Sequence, residues 1–369
     1  MSLFQLHGKL DQKQSILLSI AGFVILIGIW WALAESLSEK RPIVEYDTHP
    51  PSAFDTTAVK INRDSLFRED SIRFANATEF EKVYPLLPTP GKVLKSYPEL
   101  VKKDKLFDNA LHSIWLNLKG YFWAVLISIP MGFLIGLVPL FRGLFSKQVD
   151  AMRFLPLTAL TGLFIIWFGI EDQMKVAFLA FGIIVFLLPV VVQRIDEVND
   201  TYLKTVFTLG ATNWQTIKTV YLPSVFSVLM DDIRVLTAIS WTYIIIAELI
   251  NRQLGVGGLI YLKARQGQID KVFGILIVII FIGFLQDRLF IYLDRRLFTH
   301  KYFKKSLLGT KETSSGIYII LALFTAAVLV PMFVSNIPAY LMNIMIIVLI
   351  TGIITILYGE FRIWKFKES

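Results

Sequence analysis

Apolar residues run through this chain in continuous blocks, not in the helical or alternating stripes of a soluble domain. Seven blocks, roughly 16–35, 115–138, 174–193, 225–250, 272–293, 316–335 and 338–358, each supply the ~20 mostly apolar residues that a membrane helix needs. An eighth, roughly 151–170, contains Pro156 and Gly162 but is carried by ALTGLFIIWFGI. Membrane helices tolerate such breakers where neighbouring helices cover the freed backbone groups. The pattern predicts an all-α integral membrane protein with about eight transmembrane helices. The first block, Ser15 to Ala34, lacks a small-residue cleavage site and is too long for a signal peptide's apolar region, so it is expected to be a retained anchor.

Composition agrees: 55% of residues are hydrophobic, 18% are charged and the mean hydropathy is +0.60. The formal net charge of +8 is therefore read through loop location and gives no reason to expect nucleic acid. Loop 294–315 holds six Lys/Arg against two acids, and Lys9, Lys13, Arg362, Lys365 and Lys367 flank the two ends. With eight spans these all fall on one side, with 139–150 and 200–223. That side is expected to be the cytoplasm, which places both termini there. Loop 251–271, with Arg252, Lys263, Arg265 and Lys271, opposes this assignment and must lie outside. There is no Cys, and the four His show no ligand spacing.

Residues 36–107 are the only large polar excursion. Composition leaves open whether 36–84 is a small docking element or a partly ordered loop, whereas 85–112 reads as a Pro-broken lead into an interfacial helix. The expected organisation is an N-terminal tail and first span (1–35), an outer insert (36–107), a core (108–300), and a basic linker with two further spans (301–369).

One stretch inside the core does not suit lipid. In DTYLKTVFTLGATNWQTIKTVYLP, Phe207, Ala211, Trp214, Ile217 and Tyr221 recur at helical spacing, opposite Lys204, Thr208, Thr212, Gln215 and Lys218. This predicts a short amphipathic helix that Pro223 ends or kinks. Gly210 marks a turn or a close approach by another chain. Two readings fit: an aromatic face offered to a partner, or a helix lying on the bilayer. Elsewhere, Glu248 sits near the outer end of its span. A carboxylate at that depth is a functional candidate, unless interfacial water or Arg252 four residues on satisfies it. Asp231 and Arg234 are spaced for an ion pair, beside Asp232. Trp167 and Phe168 are packing aromatics or line a pathway. Gly255, Gly257 and Gly258 allow a sharp outer turn.

The stretch around Gly210 resembles the "EAA" loop of ABC-transporter permease subunits. Nine residues after Gly210 come to Val220-Tyr221-Leu222-Pro223, matching the Gly-to-Leu-Pro spacing with Val in place of Ile; Lys204-Thr205-Val206 replaces Glu-Ala-Ala. LPTPGKVLKSYPELVKKDKLFDNALHSIWLNLKGYFWAV, IIWFGIED, AISWTYIIIAELI and LGVGGLIYLKARQGQIDKVFGIL are similar, in order, to segments of the nitrate/sulfonate/taurine group. The resemblance covers about 85–300.

It implies a six-helix type I importer permease core plus two C-terminal spans. It also implies a coupling helix, with Gly210, Ala211, Thr212, Asn213, Trp214, Leu222 and Pro223 facing an ATPase, and a short helix near the outer gate around Gly255, Gly257 and Gly258. Trp167, Phe168 and Glu248 are the accompanying pathway or gate candidates. The implied partners are cytoplasmic ATPase subunits, an extracytoplasmic solute-binding protein, a second permease copy and membrane lipids, in a bacterial inner membrane. The chain itself is expected to bind no cofactor, since it contains no P-loop, HExxH or GxSxG motif; ATP and Mg would be used by the partner. The implied substrate is a small solute: the group handles small anions such as nitrate, sulfonates and bicarbonate, but also neutral or cationic thiamin precursors. An ion-coupled carrier and a membrane scaffold or lipid-handling component are the alternatives.

Overall fold

The computed structural model describes residues 10–42, 80–251, 254–302, 309–333 and 338–368. Most of the 36–84 insert, and Arg252, lie outside the described residues. Two compact units form, one from residues 1–104 with 262–276, the other from 105–261 with 277–369.

In the first unit, Asp11 caps α1 (Gln12–Ser36), an apolar helix with almost no side chain buried in the chain itself. A two-stranded antiparallel sheet, β1 (Glu39–Pro42) with β2 (Phe80–Val83), departs from the all-helical expectation. Thr89 caps α2 (Pro90–Lys102), which carries Pro98 internally. Loop cations of this unit are neutralised locally. Lys263 pairs with Asp104 at 2.6 Å, and Lys271 reaches Asp104 at 3.1 Å and Glu99 at 2.9 Å. Two of the four cations in the 251–271 loop are thus matched by carboxylates, which removes much of the positive field that its composition suggests.

Burial opposes ionisation of Asp104, but hydrogen bonds from Lys263 and Lys271 outweigh it and hold the carboxyl below its ordinary value. A depressed folded-state pKa stabilises above the unfolded value, about 3.9 for Asp, and that contribution is lost as pH falls through the folded value. Thermal stability in detergent is therefore expected to be flat between about pH 7 and 5 and to fall below about pH 4. Asp104→Asn should lower the melting temperature at neutral pH and flatten the acid limb. An unchanged acid limb would contradict this.

In the second unit, α3 (Leu106–Leu137) is 32 residues long and begins ahead of the apolar block that announced it. It runs parallel to α6 (Asp172–Asp196). Gly120 and Gly136 let the backbones meet: a Cβ there would lie 2.5 Å from Leu179 and 2.7 Å from Ile195. Lipid offers no hydrophobic drive between helices, so close packing over small residues and interhelical hydrogen bonds hold such pairs. Asn117 donates to Ser240 at 3.0 Å, joining α3 to α9 (Leu222–Asn251).

The expected span at 151–170 is not one helix. α4 (Pro139–Met152) and the 3-10 turn with α5 (Leu157–Phe168) meet at 97°. Pro156, in the extended region, disfavours helix for the residue before it and opens the second segment. Among the described residues, seven helices are long and apolar enough to cross a membrane, or eight if this bent pair is one span.

α7 (Asp200–Thr208), α8 (Asn213–Thr216), α10 (Val256–Arg265), α11 (Ile269–Leu297) and the one-turn α12 (Thr299–Tyr302) follow the core order. The last two spans, α13 (Thr310–Phe333) and α14 (Ala339–Glu368), pack through Gly316, where a Cβ would lie 2.7 Å from Ile356. Arg296 and Tyr292 of α11 tie them to the core through Glu360, at 2.5 and 2.9 Å. The anticipated Asp231–Arg234 pair does not form. Asp231 binds Lys301 at 2.6 Å, Arg234 binds Asp287 at 2.5 Å, and Arg194 clasps Asp232 through two nitrogens.

Candidate functional site

The polar stretch folds as two helices set back to back, not as one. α7 ends in a Schellman turn: Gly210 takes φ +74, its N–H donates to Phe207 O at 3.0 Å, and Ala211 N–H donates to Val206 O at 3.1 Å. The left-handed conformation at Gly210 costs glycine little. Thr212 then caps α8 with a reciprocal capping box, Gln215 N–H to Thr212 Oγ1 and Thr212 N–H to Gln215 Oε1. The continuous face from Phe207 to Tyr221 is therefore broken at residues 209–211.

Pro223 does not end the helix. A π turn over Ile217–Tyr221, with Leu222 N–H donating to Ile217 O, carries α8 into α9. Proline lacks an N–H and its ring crowds the carbonyl four residues back, and the wider turn accommodates both. Leu222 is half-buried at this junction and Pro223 is exposed.

The caps present an apolar tip. Leu209 is 80% exposed, Trp214 69% and Phe207 55%, with Gly210, Thr212 and Asn213 exposed between them and Ala211 half-buried. A Cβ at Gly210 would meet nothing within 4 Å among the described residues, so none of them explains the glycine by close approach. Behind the tip, a cavity of about 610 Å³ lies between α7 and α9, lined by Tyr202, Val206, Val220 and Pro223.

At the other end of α9, Glu248 is 1% exposed. It holds the glycine turn. Three successive N–H groups lead into α10, and three side chains accept them: Gly255 to Asn109 Oδ1 at 2.8 Å, Val256 to Ser113 Oγ at 2.9 Å, and Gly257 to Glu248 Oε2 at 2.8 Å. Ser113 in turn donates to Glu248 Oε1 at 2.5 Å. The opening N–H groups of a helix have no partner within it. Here α3 and α9 supply those partners.

Gly255 has φ +131, and a Cβ on it would overlap the Glu248 carboxyl. A Cβ on Gly257 would lie 2.7 Å from Ile245 O, and Gly258 is buried in the same turn. Lys175, which sequence reading passed over as the edge of an apolar block, is fully buried. Its ammonium reaches Asp172 at 2.9 Å and Leu254 O at 3.4 Å, fixing the same turn from α6. His112 Nε2 lies 3.3 Å from the same Asp172 oxygen. The signal for Lys175 was present, since a lysine within a span seldom lacks a partner or a role.

Trp167 and Phe168 stand apart from the Glu248 cluster. With Phe164 they form an aromatic group, ring centroids 5.8 Å apart in both pairs, closed by Gly169 at φ +75. Both line a cavity of about 830 Å³ bounded by α3, α5, α6 and α13. The structure thus separates the pathway and gate candidates into a locked turn and an aromatic-walled cavity.

Residues 124–299 match the family described as the binding-protein-dependent transport system inner membrane component. The putative aliphatic sulfonates transport permease protein SsuC of Bacillus subtilis is 29% identical over 216 residues, 58% of this chain and 77% of that protein. The taurine transport system permease protein TauC of Escherichia coli is 27% identical over 216 residues, 57% and 78% of the two chains. A solved inward-facing form of the MetNI methionine ABC transporter aligns with a TM-score of 0.47 at 17% identity, over 52% of this chain and 94% of that one. Through residues 124–299 the chain is similar to the binding-protein-dependent inner-membrane components, and its described residues supply seven helices of membrane-spanning length, or eight if the bent pair is one span.

Proposed function

We propose that this chain is the permease subunit of an ABC transporter, forming the pathway for a small organic anion and taking its power from a separate cytoplasmic ATPase seated on the Phe207–Trp214 tip. The observation that carries the coupling is the tip itself. Two capped helices hold three large apolar side chains away from the rest of the chain, and a rigid knob of this kind can move a span when a partner closes on it. Gly210 to Trp214 make the contact, and Leu222 and Pro223 pass the motion through the π turn into α9. ATP and Mg belong to the partner.

The permease works with an extracytoplasmic solute-binding protein and a second copy of itself, in membrane lipid, with both termini in the cytoplasm. The anion reading rests on the sulfonate and taurine relatives and not on the outer loop, whose Lys263 and Lys271 are already paired. The turn held by Glu248 belongs to the outer gate, and residues 36–84 and 301–369 are additions to the 108–300 core.

A photo-crosslinking amino acid at position 213, in the native membrane, tests the coupling. The expected product is an adduct with an ATP-hydrolysing protein. Adducts with lipid alone would mean that the stretch lies on the bilayer, and would overturn the proposal.

A further inference from the structure

The cavity walled by Trp167 and Phe168 carries a feature that solute transport through the core does not account for. Lys119 lines it from α3, level with the first turns of α6. No carboxylate among the described residues pairs with Lys119; its ammonium sits 4.9 Å over the Trp115 ring, one turn toward the start of the helix. The nearby acid is already matched, because Asp172 takes the Lys175 ammonium at 2.9 Å and faces His112. The end of the cavity at Lys119, Asp172 and Gln173 therefore holds one uncompensated positive charge. A cation without a carboxylate partner at the lip of an apolar slot is placed to meet an anionic headgroup.

The rest of the cavity is apolar and long. From Leu116 to Ile127 along α3 is about 16 Å at the rise of an α-helix, about half the ~30 Å hydrocarbon thickness of a bilayer. Asp172 begins α6, so the charged end lies where that span starts, and Ile127 and Ile184 mark the deep end. The volume, about 830 Å³, suits a ligand of many heavy atoms. The outer wall is α13, which touches α3 through Phe324 against Trp115 and Phe122 and contributes Val328 and Pro331 to the lining. A span from outside the 108–300 core thus closes an apolar slot one leaflet deep with a lone cation at its mouth.

We infer that this slot binds an acidic phospholipid, its phosphate on Lys119 and one acyl chain running between α3, α6 and α13 toward Ile127 and Ile184. Charge and depth together select this occupant: the cation calls for an anionic headgroup, and a small solute would not fill the apolar depth. The lipid fills the gap behind α13 and so seats the added span against the core. This inference does not depend on ATPase coupling, because lipid retention needs no partner.

The test is native mass spectrometry of the full-length purified chain, stripped of lipid and offered phosphatidylglycerol and phosphatidylcholine with matched chains. Wild type is expected to retain phosphatidylglycerol over phosphatidylcholine by about fivefold, the scale of one lysine acting on an acidic lipid. Lys119→Met should bring that ratio close to one while acyl binding persists, and Lys119→Arg should keep the preference. Ala180→Phe, which fills the slot and leaves Lys119 in place, should lose both lipids. Glycerol phosphate without chains should not compete.

Equal retention of the two lipids by wild type, or a preference that survives Lys119→Met, would overturn the inference. So would full competition by glycerol phosphate, or a Gln173→Cys chain that cross-links to a second copy without displacing lipid. Matching circular dichroism and melting curves for the variants guard against a loss caused by misfolding.

Discussion

Gly255→Ala is expected to abolish transport and to destabilise the protein by about 2–6 kcal/mol, the sum of a strained backbone and an overpacked core. Two independent features set this scale. The backbone at Gly255 has φ +131, a region that side chains rarely adopt, and the added methyl would occupy the place of the Glu248 carboxyl. The carboxyl has nowhere to go. It is 1% exposed and held by Ser113 and Gly257, so moving it leaves buried donors without acceptors. Glu248→Gln is the milder companion, keeping the shape and an acceptor for one of the two donors. Thermal unfolding in detergent, alongside uptake by cells, separates the cases. Gly255→Ala should fall in both, whereas Glu248→Gln should keep most of its stability and lose transport if the turn gates the outer face. Wild-type melting for Gly255→Ala would show that the turn is looser than these contacts require.

Trp214→Glu is expected to leave stability within about 0.5 kcal/mol, as for exposed residues generally, and to remove ATP-driven uptake. Trp214 is 69% exposed and lies on a tip whose shape comes from backbone caps, so the exchange leaves the Schellman turn and the capping box intact. A tryptophan at the centre of a docking contact contributes about 2 kcal/mol or more, and a carboxylate in its place would put an unpaired charge into the proposed contact. Association with the ATPase should therefore weaken at least about thirtyfold at that scale. Were the stretch a helix lying on the bilayer, the same variant would alter lipid contact and leave ATP-driven uptake unchanged.

Much of this was legible in the amino-acid pattern, and the reasons differ from element to element. The spans were readable because lipid imposes a simple rule, about 20 apolar residues in a row, and α1, α6, α13 and α14 follow it. The turn at Gly210 was readable because a glycine inside a helical pattern is costly. The two helices around it were missed because amphipathic spacing ran on across the break, through Ala211, as though no turn intervened. The capping box was visible as Thr212 and Gln215, three residues apart, but went unread.

The bend after Met152 was hidden by an apolar composition that continues through Pro156 to Phe168. The lock on the glycine turn was not readable at all. Asn109 and Ser113 lie some 140 positions before the N–H groups they accept, at separations of 146 and 143. Local pattern holds no information about partners so distant. Glu248 stood out by its charge alone, and what it does became clear only from its neighbours. Lys263 and Lys271 show the opposite failure: counted as loop charge they suggested a basic surface, whereas Asp104 and Glu99 neutralise them.

Powering in trans through the Phe207–Trp214 tip is tested most directly by purifying the wild-type chain and Trp214→Glu from the native membrane under identical conditions. ATP hydrolysis and bound proteins are then measured in each sample. The wild-type sample should contain an ATPase subunit and hydrolyse ATP, and the variant should contain the permease alone, equally folded. An ATPase recovered equally with both, or with neither, would contradict coupling through this tip.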